Sequence, residues 1–114
     1  MHEIGVVRSM LKTVDEFCKE NGVEKVEEIV VDIGELSLII PEYVEAVYPP
    51  VAEEAGFGGT KLIINVTPGL AECDACDEIY NVIEFEGYCP NCGSFEKTVL
   101  SGKEFNIREI HIPE

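Results

Sequence analysis

Positive charge is scarce in this chain. Eight lysines and arginines stand against 23 aspartates and glutamates, and the formal net charge is −15. Proteins grip phosphate backbones by displacing counterions with Lys and Arg, so DNA, RNA and anionic membranes are poor partners, and a metal cation or a basic protein face is a better one. Long hydrophobic runs are missing too. Stretches such as Leu38-Ile39-Ile40 are far short of the roughly 20 apolar residues that a spanning helix needs. The opening Met1-His2-Glu3-Ile4 lacks the basic stretch and apolar run of a signal peptide, so the cytoplasm is expected, where thiols stay reduced. Pro and Gly are not in excess, and no internal repeat or low-complexity stretch appears. What remains is a globular chain of 114 residues, 46% hydrophobic: one domain, or one domain with a small insertion. A chain of this size buries only roughly two-thirds of its surface, so a metal staple would help it fold.

Periodicity supplies the elements. From Glu3 to about Glu20, residues Ile4, Val7, Leu11, Val14 and Cys18 fall at steps of three and four, predicting a helix with Met10 and Phe17 at the edge of its apolar face. Asn21-Gly22 stops it. Val26 to Ile33 predicts a strand. A second helix opens at Pro41 with Glu42 in its first turn and carries a stripe of Val44, Val47, Val51 and Ala55. Pro49-Pro50 inside it predicts a kink or two short pieces, because an internal proline removes a hydrogen bond and clashes one turn back. Thr60 to Val66 is a second strand, with Leu62, Ile64 and Val66 alternating, ended by Pro68-Gly69. Phe105 to Ile112 is a third, its alternation slipping between Ile107 and Ile110 as a bulge would make it do. The expected fold is α+β: two helices packed on one face of a three-stranded sheet, with a four-cysteine zinc-ribbon module inserted. The domain expectation is 1–69 and 98–114 for the α/β part and 70–97 for the insertion.

That insertion differs in kind. Ala71 to Glu96 holds four paired cysteines and seven acidic residues but no Lys or Arg. The pattern is Cys73-x-x-Cys76, twelve residues, then Cys89-x-x-Cys92. Two residues between cysteines let a tight turn aim both sulfurs at one ion, and two such turns give the four-thiolate tetrahedron that zinc favours. Four thiolates leave no open position for an activated water, so the site reads as structural. Pro90 and Gly93 suit the second turn; Asp77, standing where the second turn has Gly93, makes the first the less ideal half. The twelve-residue spacer leaves room for a short hairpin, Ile79 to Phe85. Redox-active pairs or disulfides are the rival reading. A thiol–disulfide oxidoreductase, however, needs a thiolate of depressed pKa at a helix N-terminus, and neither pair opens a predicted helix. A zinc-ribbon adaptor for nucleic-acid machinery is the other rival, and the missing positive charge weighs against it. Cys18, on an apolar helix face, reads as a small core residue.

His2 beside a terminal amine is the second metal candidate. The amine, the His2 amide nitrogen and the imidazole can close chelate rings around one ion, with the Glu3 amide as a fourth nitrogen. Four nitrogens in a plane suit Ni(II) or Cu(II) rather than zinc. The bland alternative is an ordinary chain terminus. His111 reads as an exposed strand histidine before a second ligand.

Taken together, the Met1-His2-Glu3 opening, the strand ending Ile33-Gly34-Glu35-Leu36-Ser37, the two cysteine pairs and the closing Ser101-Gly102-Lys103-Glu104-Phe105-Asn106-Ile107 resemble the HypA/HybF family of nickel-insertion chaperones. The resemblance covers essentially the whole chain. It implies a nickel metallochaperone, not an enzyme, that binds Ni(II) as cargo through Met1, His2 and Glu3. It also implies a structural Zn(II) held by Cys73, Cys76, Cys89 and Cys92, a partner GTPase, and delivery to the large subunit of a nickel–iron hydrogenase. A monomer is expected, or a weak dimer swapped about Pro68-Gly69. The chain departs from the family pattern at Gly5, which predicts a late start to the first helix, at Pro49-Pro50 and at Asp77.

Overall fold

The computed structural model describes residues 3–114. Met1 and His2, two of the three expected nickel residues, lie outside the described residues. The element order is α1 (Glu3–Asn21), β1 (Glu28–Gly34), α2 (Pro41–Glu54), β2 (Lys61–Thr67), β3 (Leu70–Cys73), β4 (Ile79–Asn81), β5 (Lys97–Val99) and β6 (Phe105–His111). Two three-stranded sheets form, ordered β2-β1-β6 and β4-β3-β5. Hydrogen bonds at the two ends of β1 set its neighbours' directions. Glu27 donates to His111 and Gly34 to Glu104, so β6 runs antiparallel; Lys61 donates to Glu27 and Glu35 to Thr67, so β2 runs parallel. The chain divides into two compact units, one of residues 1–32, 39–65 and 106–114, the other of 33–38 and 66–105.

The first unit is the helical one. α1 buries Val7, Met10, Leu11, Val14 and Cys18, α2 buries Val44, Tyr48, Val51 and Ala52, and these close over Ile29 and Val31 of β1, which are fully buried. Met10, expected at the edge of the α1 face, is 3% exposed, while Ile4, expected on it, is 46% exposed. The helix ends as its sequence indicates. Gly22 adopts φ +66, and Val23 donates back to the Cys18 carbonyl at 2.9 Å, satisfying a group that the last turn would leave free.

The late start expected for α1 fails, and of the two outcomes expected for α2 the break into two short pieces does not occur. α1 begins at Glu3 despite Gly5. A mid-helix glycine costs about 1 kcal/mol, less than the burial of the apolar face that follows. α2 does not break into two pieces: it is helical through Pro49 and Pro50. Buried residues flank the prolines on both sides, and the Tyr48 hydroxyl donates to the Thr60 carbonyl at 2.8 Å. Thr60 in turn donates to the Val26 carbonyl at 2.7 Å. These anchors outweigh a penalty of about 3 kcal/mol for an internal proline. Among the strands, Leu62 and Ile64 are half-buried as expected, but Val66 is exposed. In β6, Arg108 and Glu109 are both exposed between half-buried Ile107 and Ile110, so the slip read from the sequence appears in the burial.

The second unit contains three short strands that hydrophobic alternation did not reveal. β3 pairs antiparallel with β4 (Ala71 opposite Tyr80) and with β5 (Ala71 opposite Val99). The hairpin expected within Ile79–Phe85 is therefore replaced. Ile79–Asn81 pairs with β3, and residues 82–88 form turns.

Candidate metal centre

Each cysteine pair sits in a turn built by the same backbone bonds. In the first, Asp77 N–H donates to the Cys73 carbonyl at 2.8 Å and Cys73 N–H to the Glu78 carbonyl at 2.8 Å. In the second, Gly93 N–H donates to Cys89 at 2.9 Å and Cys89 N–H to Ser94 at 3.0 Å. Both turns need a left-handed residue at the corresponding place, Asp77 at φ +65 and Gly93 at φ +77. Asp tolerates this conformation better than most side chains, though not as freely as Gly.

The two turns bring all four sulfurs within 4.8 Å of one another, and this is the one metal-competent cluster among the described residues. Cys73 Sγ lies 3.5 Å from Cys92 Sγ, and Cys76 Sγ lies 3.6 Å from Cys89 Sγ. Zinc bonded to four thiolates at about 2.3 Å in a tetrahedron requires sulfurs about 3.8 Å apart. The cluster brackets that spacing, so Cys73, Cys76, Cys89 and Cys92 fit a tetrahedral ion. Each of these two short distances joins one turn to the other, so one ion would be gripped from both sides.

Hydrogen bonds prepare the donors. The Asn91 side chain donates to Cys76 Sγ at 3.4 Å, and with the Glu78 amide it lowers the Cys76 thiol to about 7. Cys92 receives help from the Ser94 amide, but its neighbour thiols Cys73, Cys76 and Cys89, together with desolvation, outweigh that and push it up to about 12. One thiolate forms readily and the last resists. A divalent cation removes that mutual repulsion, so metal binding at such a site displaces protons. The surrounding core is small: Ala71, Cys73, Tyr80 and Cys89, with Cys76 and Val82 against it. Tyr80 donates to the Gly87 carbonyl at 3.2 Å, and burial raises its pKa.

The other family-like motifs meet within the same unit, and they are structural. Glu35 accepts from Gly69 N–H at 2.8 Å and from Asn81 at 3.0 Å; the Gly69 amide is the main reason its carboxyl lies below the ordinary range. Leu36 N–H donates to the Gly102 carbonyl at 2.7 Å. A Cβ on Gly34 would lie 2.0 Å from the Gly102 carbonyl oxygen, and one on Gly102 would lie 2.5 Å from the Gly69 Cα. Glu104 accepts from Gly102 N–H and, at 3.0 Å, from Thr67. Three chain segments cross here backbone to backbone, which only glycine permits. The sequence signal was the placement of Gly34, Gly69 and Gly102 beside Glu35 and Glu104, a pattern that periodicity does not register.

Of the expected nickel residues, Glu3 is described. It is 6% exposed and opens α1, where a carboxylate suits the helix dipole. Among the described residues His111 belongs to no convergent metal cluster. Its ring bridges Glu109 at 2.7 Å and Glu28 at 3.1 Å from opposite nitrogens. Cys18 is buried in the helical core and is not one of the four clustered cysteines.

Comparison with known proteins gives a consistent result. The model of the family described as hydrogenase/urease nickel incorporation, metallochaperone, hypA, matches residues 1–112. Hydrogenase maturation factor HypA of Albidiferax ferrireducens is 30% identical over 98% of this chain and 99% of its own. The corresponding factor of Francisella philomiragia is 34% identical over 96% and 97%. The solution structure of the Ni metallochaperone HypA from Helicobacter pylori covers 98% of this chain and 97% of its own, with a TM-score of 0.67 and 26% identity. A second solution structure of a HypA protein has a TM-score of 0.69 and 27% identity. With two helices, small sheets and a four-cysteine cluster on the same plan, the chain belongs to the HypA family of hydrogenase maturation metallochaperones, which are not enzymes.

Proposed function

We propose that this protein binds Ni(II) at its N-terminus, through Met1, His2 and Glu3, and delivers it during nickel–iron hydrogenase maturation. The observation that carries the reading is the family match across residues 1–112. The chemistry agrees: an amine, an imidazole and the His2 and Glu3 amides offer a planar nitrogen set, which suits Ni(II). Because the amine and amides bind only when deprotonated, a local proton gain releases the ion, as a carrier requires.

Cys73, Cys76, Cys89 and Cys92 hold a resident Zn(II) in this reading. The ion supplies folding energy to segment 70–97, while 1–69 and 98–114 carry the nickel function. The partners are a GTPase of the maturation pathway and the hydrogenase large subunit, met in the cytoplasm by a monomer or a weak, swapped dimer. Nucleic acid and membranes are not partners.

The test is a Ni(II) titration of untagged protein beside His2→Ala and a variant extended by one leading Gly. Wild type is expected to take up one nickel with the absorbance of a square-planar complex, and both variants are expected to fail. Equal behaviour of all three would place the nickel elsewhere and overturn the N-terminal site.

A further inference from the structure

The segment joining β4 to β5 holds aromatic rings out in water. Phe95 (58%) and Tyr88 (55%) are the most exposed aromatic side chains among the described residues, and they lie against each other with ring centroids 5.2 Å apart. Their placement is built rather than loose. Phe95 rests on the backbone at Gly87, where a Cβ would come within 3.0 Å of the ring. The turn leading there is closed by Gly87 N–H to the Val82 carbonyl at 2.9 Å and Tyr88 N–H to Phe85 at 3.0 Å, with Glu84 N–H donating to Asn81 Oδ1 at 2.9 Å. Two left-handed residues in succession, Glu86 at φ +53 and Gly87 at φ +87, lead into Tyr88. For Glu86 that conformation is unfavourable, and strain kept beside exposed apolar rings is an observation from which a recognition role can be argued.

Charge indicates what fits against it. Glu84, Glu86 and Glu96 are exposed beside the rings in sequence. The unit of residues 33–38 and 66–105 carries nine carboxylates against two lysines, a net of −7. Lys97, the cation adjoining the rings, is already engaged: its ammonium lies 3.4 Å over the Phe95 ring and donates to the Phe95 carbonyl at 2.8 Å. That contact shows that the ring accepts a cation on its face. A second copy of the chain would bring like charge to like charge, and so would nucleic acid or an anionic membrane. We infer that the Tyr88–Phe95 pair and the carboxylates of Glu84, Glu86 and Glu96 form a docking surface for a basic, apolar segment of a partner protein. The inference is independent of where nickel binds.

The test uses the full metal-loaded chain, labelled with nitrogen-15. It is titrated with an acetylated Lys-Leu-Arg-Phe-Lys-Leu-Arg amide and with a Lys-Gly-Arg-Gly-Lys-Gly-Arg peptide of equal charge. Amide shifts are expected to concentrate on Gly87, Tyr88 and Phe95. The glycine peptide and the Tyr88→Ala variant are each expected to bind about tenfold more weakly, the loss of one modest aromatic anchor. Phe95→Ala is scored only if its four thiols stay protected from a thiol reagent; Tyr88→Ala, whose ring is mostly in water, keeps the test valid otherwise. Equal binding of both peptides with shifts spread over the acidic surface, or unchanged binding by Tyr88→Ala, would overturn the docking surface.

Discussion

At the residue scale the two halves of the metal centre are unequal, and the difference is measurable. Asp77 and Gly93 do the same conformational work at φ +65 and φ +77, yet only one of them is glycine. Asp77→Gly is expected to stabilise the metal-loaded protein by about 1 kcal/mol, read as a higher denaturant midpoint with unchanged metal content. The less ideal first turn was visible in the sequence, because left-handed preference is a local property. The pairing of Cys73 with Cys92 and of Cys76 with Cys89 was not, since spacing within a pair says nothing about which sulfurs approach across it. His111 supplies a pH signature. Its hydrogen bond to Glu109, with Glu28 on the other ring nitrogen, holds its pKa above the ordinary 6.5. A group raised on folding stabilises fully below its unfolded pKa and loses that contribution as pH rises through the folded value. Stability should therefore decline as pH passes upward through the neutral range. His111→Gln should flatten that part of a pH–stability curve; an unchanged slope would show that the bridge contributes nothing.

At the element scale, long periodic segments were legible and short ones were not. α1 declares its face over five turns, so its existence and its stop at Gly22 followed from the sequence. Ile4 and Met10 exchanged roles because a three-four pattern fixes a stripe but not its width. β3, β4 and β5 have four, three and three residues, too few for alternation to register, and they are held by turns and cysteines more than by an apolar face. α2 shows tertiary burial overriding propensity. Its prolines lie on the exposed side, while Val44, Tyr48, Val51 and Ala52 face inward. Pro50→Ala is expected to raise stability by about 1 kcal/mol or more, since the helix interior regains a donor at the cost of a freer unfolded chain. At the glycine crossing the expectation is opposite. Gly34→Ala would place a methyl 2.0 Å from the Gly102 carbonyl oxygen and is expected to cost about 3 kcal/mol or more by overpacking, read by thermal or denaturant unfolding. A neutral result would refute the close approach.

At the scale of the whole molecule, the two units draw on different sources of stability. The helical one has an extended apolar core; around the metal centre the other has only a small buried cluster of Ala71, Cys73, Tyr80 and Cys89, two of them metal-competent cysteines. Removing the metal with a chelator is therefore expected to melt the second unit first. Thiol reagent would react with Cys73 and Cys89 while the helical circular-dichroism signal survives. Simultaneous loss of both signals would show that the units fold as one. Lowering the pH should act like the chelator, because thiolates must be kept deprotonated to hold the ion.

The crossing of Gly34, Gly69 and Gly102 also bears on transplantation. A ribbon cut out as one continuous peptide would leave behind Glu35, whose carboxylate holds both Gly69 and Asn81. Moving this scaffold into another host would take two strips of chain, 33–38 and 66–105, with the shorter one serving as the brace that keeps the longer one in shape.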